Sequence, residues 1–210
     1  MCQGPFIFVP SHDNDSHRVK IQQACVDICM CLQSFVEQHA VEVLFRLIDS
    51  CNRSRPHQVV VGLCLQILQN ISTFKLLVPY IVHVGQEPKP IATLLHIVQT
   101  YYTIKPPAIS LQALSVLALT VRHMKPAQRQ SLFPKIVSKS LSKTKNTNLL
   151  ASMQTLQKSI QRKCKGAIST SSVRARKNKR SETKVDETTT ILKRCLRILS
   201  QVIHLCQSDM

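Results

Sequence analysis

The chain has 210 residues, 44% of them hydrophobic, with no tryptophan, only four glycines and nine cysteines. An odd number of thiols at irregular spacing excludes a secreted disulfide framework, and the shortage of glycine disfavours the many tight turns of a sheet or barrel. The net charge of +17 sits almost wholly in one stretch: residues 1–121 hold eight Lys and Arg against seven Asp and Glu, residues 122–184 hold seventeen against Glu182 alone, and residues 185–210 hold three of each.

Residues 1–15, "MCQGPFIFVPSHDND", have neither the basic start nor the long apolar segment of a secretory leader and are expected to form an N-terminal tail. Reduced thiols in the cytosol or nucleus follow, and the sequons at Asn52 and Asn70 are then expected to stay unmodified. A helical domain is expected over residues 16–141. Its first helix is marked by Ile21, Ala24, Cys25, Ile28, Leu32 and Phe35, and its second by Val41, Leu44, Phe45 and Ile48. Val60, Leu63, Cys64, Ile67, Leu68 and Ile71 mark the third, where truncating Leu63 or Ile67 should cost about 2–5 kcal/mol if those side chains are buried. Ile91, Leu94, Leu95, Val98 and Tyr102 mark the fourth, stopped before Pro106-Pro107. "ISLQALSVLALTV", residues 109–121, is apolar nearly all round, as a central helix is. Pro126 opens a further stretch with Leu132, Ile136, Val137 and Leu141.

Residues 142–185 are polar and basic, with little to bury, and are expected to be a largely disordered linker. The pattern recovers over 186–207, where Leu192, Cys195, Leu196, Leu199, Ile203 and Cys206 form one amphipathic stripe. Helices of about a dozen residues or more with short polar joints describe an all-α array of the armadillo or HEAT kind, although no clean repeat period shows.

"CNRSRPH", residues 51–57, packs a cysteine, two arginines, a proline and a histidine into one joint. Asn52 tolerates the left-handed conformation that ends a helix, Ser54 can cap the next one, and Pro56 suits a first helical turn. With Arg53 these residues make a helix corner. A Cys51–His57 nucleophile pair lacks an orienting group and an oxyanion site nearby, so neither residue is expected to be catalytic. Cys25, Cys29 and Cys31 cluster without a His or Cys pair at finger spacing, so they read as buried free thiols rather than metal ligands. No phosphate loop, paired carboxylates or nucleophile elbow occurs, and the expectation is a non-enzyme with no cofactor.

"LFRLIDSCNRSRPHQVVVGLCLQILQNISTF", residues 44–74, resembles the C-terminal region of the abnormal spindle (ASPM) family, in its Cys-Asn-Arg-Ser corner and the apolar helix ending in Leu-x-Asn. "IATLLHIVQTYY" (91–102), "ISLQALSVLALTVR" (109–122) and the basic segment after Phe133 echo that region in the same order. The resemblance spans roughly residues 40–145. It implies a spindle-pole, microtubule-associated interaction module in the cytoplasm and cytoskeleton, nuclear in interphase. Family members carry upstream microtubule-binding and calponin-homology regions and many calmodulin-binding IQ motifs, and this chain has none of the upstream regions.

One incomplete IQ motif, Ile160, Gln161, Lys165 and Gly166, ends in Thr170 where a basic residue belongs, and it makes calmodulin a candidate partner. Protein partners and tubulin head the list of expected partners. Lys163, Lys165, Arg174, Arg176, Lys177, Lys179 and Arg180 are the residues expected to meet an acidic surface. "RARKNKR", residues 174–180, also suits an import signal or a nucleic-acid-binding arm, which keeps a nuclear nucleic-acid-binding protein as the alternative. No apolar run is long enough to span a bilayer.

Overall fold

The computed structural model describes residues 14–82, 90–132, 149–174 and 179–208. Among them the regular structure is all helical, as the shortage of glycine implies, with nine α-helices, one 3-10 turn and no strand. The chain divides into two compact units, Met1–His39 and Ala40–Met210.

In the first unit the described element is α1, Asn14–Glu37. The helix ends on His39, whose φ of 61° takes the left-handed role that glycine often fills, with its N–H donating to the Val36 carbonyl. The apolar stripe expected to be buried is largely open: Ile21, Ile28 and Phe35 are exposed, and so are Cys25 and Cys31, with Cys29 half-buried. The period is helical, as read, but the three cysteines are not the core thiols expected, while Val36 near the end of α1 is buried.

The second unit opens with α2 (Ala40–Ser50), which buries Val41, Leu44, Phe45 and Ile48 as expected. A corner leads into α3 (Arg55–Thr73), with Pro56 in its first turn. Here the register differs from the expectation. Val61, Cys64, Leu65, Leu68, Ile71 and Ser72 face inward, while Leu63 and Ile67 are exposed. The helix is apolar around most of its girth, so periodicity alone does not choose a face. The face that turns inward is the one that packs on α6, and Val61 and Leu65 share it one turn apart.

A 3-10 turn (Lys75–Leu77) and α4 (Val78–Val82) follow, then α5 (Pro90–Tyr101). The central helix is α6 (Ala108–His123), with Ala113, Leu114, Val116, Leu117 and Val121 fully buried between α3, α5 and α9. The short α7 (Pro126–Leu132) begins on Pro126, as read, while Ile136, Val137 and Leu141 lie outside the described residues.

The largest departure lies in the segment expected to be a disordered linker. Residues Leu149–Arg174 form α8 and Lys179–Ser208 form α9, which begins before residue 186. Between polar residues α8 carries Leu150, Met153, Leu156, Ile160 and Cys164 at steps of three and four, and all five are buried. A sparse stripe of this kind is diluted in average composition yet fills a helical face. In α9, Leu192, Cys195, Leu199, Val202, Ile203 and Cys206 are buried. Contacts close a ring: α5 packs on α6, α6 on α9, α9 on α8, and α8 back on α5. The C-terminal helices are therefore walls of the core and not appendages.

His123 ends α6 half-buried. Burial, together with Arg122 and Lys75 nearby, holds its imidazole below the ordinary value of 6.5. The unfolded chain then binds this proton more readily than the folded one. As pH falls through about 6.5, stability is lost until the folded imidazole titrates as well. Urea midpoints of wild type and His123→Gln, compared over about pH 5 to 8, should converge toward the acid end of that window as the wild type loses its advantage.

Candidate interaction surface

The corner at residues 51–57 is a hydrogen-bonded joint. The Asn52 side-chain oxygen accepts from the Ser54 N–H at 2.8 Å, and the Asn52 N–H donates to His57 Nδ1 at 2.9 Å. From the end of α5, the Tyr101 hydroxyl donates to the Asn52 carbonyl at 3.1 Å, and Gln58 Nε2 donates to the Arg53 carbonyl at 2.7 Å. Burial, and after it the neighbouring Cys51, pushes the Tyr101 phenol up, which keeps it a donor. Two details of the expected corner change. Asn52 does not take the left-handed conformation, because its side chain makes the turn locally. Ser54 occupies the N-cap position with extended backbone, but its hydroxyl makes no cap bond. His57 Nδ1 is occupied by a backbone donor, so the ring serves to lock α3 onto the end of α2.

The buried thiols are poor nucleophiles. Cys195 is pushed up to about 12, chiefly by burial and then by Cys164 beside it. Cys164 and Cys64 are also raised, first of all by burial. Under native conditions an alkylating reagent should modify exposed Cys25 and Cys31 quickly, and leave Cys64, Cys164, Cys195 and Cys206 unmodified until denaturant is added. Peptide mass mapping reads the pattern, and rapid native labelling of Cys195 would contradict the packing of α9 on α6. Among the described residues no three His, Cys, Asp or Glu side chains gather as a metal site would require.

The basic residues divide. Lys163 is not part of a solvated arm: its Nζ donates to the Tyr102 carbonyl at 3.1 Å and stands 5.2 Å from the centre of the Tyr102 ring. Burial, then Lys105 nearby, holds this ammonium below the usual lysine range. It acts as a strut from α8 to the turn after α5. Lys165 is exposed on α8. Arg174 and Lys179 end α8 and begin α9, Arg180 lies in the first turn of α9, and Arg176 and Lys177 lie outside the described residues. In the IQ-like segment Ile160 is fully buried, while Gln161, Lys165 and Gly166 are exposed. Calmodulin could grip that isoleucine only by pulling it out of the core.

A second basic surface shares Lys165 with the expected set and adds residues of α9 that the sequence reading did not single out. Gln157 Nε2 donates to Ser200 Oγ at 2.8 Å. Seven residues further along α8, the Cys164 thiol feels the charge of Lys193, seven residues earlier in α9. That register makes α8 and α9 an antiparallel hairpin. Over residues 158–165 and 192–199 it carries no Asp or Glu. Lys158, Arg162 and Lys165 line the exposed side of α8, and Lys193, Arg194 and Arg197 that of α9, each away from the buried stripe. At 1.5 Å per residue the six cations occupy roughly 12 Å of hairpin length. The signal was present as steps of four and three at 158, 162 and 165.

Apolar side chains also remain open on the outer sides of α2 and α3, namely Val43, Leu47, Val59 and Leu63. No single helix among the described residues is long and apolar enough to cross a membrane. No protein-family model, no curated protein and no solved structure matches the chain.

Proposed function

We propose that this chain is a non-enzymatic interaction module of a spindle-pole or microtubule-associated protein. In this reading it works in the cytoplasm and cytoskeleton and is nuclear in interphase. The observation that carries the proposal is the acid-free basic face of the α8–α9 hairpin, held in place by the buried stripes of both helices. A row of fixed cations is suited to an acidic polymer surface, and tubulin supplies one. The resemblance of residues 44–74 to the abnormal spindle family selects tubulin over other polyanions. An armadillo-like helical array with open apolar side chains on α2 and α3 supplies the second half of the proposal, a surface that docks a protein partner.

The test is parallel cosedimentation with microtubules and binding to duplex DNA, at matched salt. Microtubule binding at physiological salt that exceeds DNA binding supports the proposal. The reverse order makes the chain a nuclear nucleic-acid-binding protein, although the basic segments lack the interleaved aromatic residues on which bases stack.

A further inference from the structure

The α8–α9 hairpin fixes where its cations stand as well as how many it presents. On α8, Lys158, Arg162 and Lys165 follow one another at four and then three residues, about 6 and 4.5 Å along the helix. On α9, Lys193 and Arg194 stand four and three residues before Arg197, the same two steps. Ile160 and Cys164 on α8 and Leu192, Cys195 and Leu199 on α9 are buried, so the backbones that carry these cations are held by the core. Steps of three and four residues are also the spacing of side chains along one side of any other helix. Over the same stretches no large apolar side chain is exposed, and the face offers charge alone.

Charge without apolar contact bears on the kind of acidic partner that such a face holds. An exposed ion pair returns little, and fixing one residue of a flexible chain costs more than one such pair returns. A helix is ordered before it arrives, and acidic side chains along it stand at the steps this face presents. On the microtubule reading above, we propose that the hairpin binds a folded surface helix of tubulin that carries Asp or Glu at steps of three and four on one side, and not a flexible acidic tail. Arg162, Arg194 and Arg197 suit such a partner, because a guanidinium fork meets a carboxylate held in one orientation through two parallel hydrogen bonds.

Cosedimentation of the full chain with two polymers tests this: intact microtubules, and microtubules whose acidic C-terminal tails have been removed by limited subtilisin digestion. The two affinities should agree within about twofold. A charge-conserving swap, Gln161→Arg with Arg162→Gln, asks the same question of the hairpin. Both positions are exposed, and the swap moves one cation by about 100° around α8 while net charge and helical content stay as they are. It should weaken binding to both polymers roughly threefold. The proposal is overturned if removing the tails weakens binding by more than that twofold, or if the swapped chain binds like wild type, because a flexible chain counts charges without reading their positions. Absence of binding to intact microtubules would instead overturn the proposed function, and the helical partner with it.

Discussion

Leu68→Ala should lower the unfolding free energy of the second unit by about 2–5 kcal/mol, whereas Leu63→Ala, five residues earlier on the same helix, should change it by only about 0.5 kcal/mol. The two side chains are chemically identical and differ in what surrounds them. Leu68 is 0% exposed in the face of α3 that packs on α6, while Leu63 is 56% exposed. Deleting buried methyl groups removes their transfer energy and leaves a cavity, because α6 is itself packed on α5 and α9 and cannot close in. At the exposed site water fills the space at once. Denaturant midpoints with unchanged slopes would measure the difference. Equal losses at the two positions would mean that α3 is rotated about its axis from the register described, with Leu63 and Ile67 in the core after all.

That register shows where the sequence was legible and where it was not. Helical character, the start of α3 at Pro56, the buried side of α2 and the central place of α6 all follow from spacing, because each has either one apolar stripe or no polar side at all. The rotation of α3 does not follow, because Val59, Val60, Val61, Leu63, Cys64 and Leu65 put apolar groups on nearly every side. Its inward face is the one that packs on α6, a helix that begins only at Ala108, and a local period carries no record of so distant a neighbour. Composition misled in α8 for the opposite reason. Its average is polar and basic, yet Met153, Leu156, Ile160 and Cys164 form a stripe that becomes core once α9 lies against it. The same dilution bears on two of the expected basic residues: Lys163 is occupied with Tyr102, and Lys165 stands on a folded helix.

Replacing Lys158, Arg162, Lys165, Lys193, Arg194 and Arg197 together with glutamine should weaken microtubule cosedimentation roughly tenfold or more at physiological salt. All six side chains are exposed, and glutamine is close to lysine and arginine in helix propensity, so helical content and thermal midpoint should stay near wild type. Exposed charges are screened over about 8 Å at physiological ionic strength, so wild-type binding should fall steeply as salt rises and the variant should show a shallower dependence. A second variant, neutralised at Arg174, Arg176, Lys177, Lys179 and Arg180, separates the hairpin face from the basic run at residues 174–180, which spans the end of α8 and the start of α9. If the face carries the contact, this variant keeps most of the microtubule binding and loses only the contribution of a few added charges. If instead it loses binding while the hairpin variant retains it, the site belongs to the run, and the fixed geometry of Lys158, Arg162 and Lys165 has no part in recognition. Retained binding in both variants would move the microtubule contact away from basic residues altogether, to the open apolar sides of α2 and α3, and would remove the electrostatic basis of the proposed function.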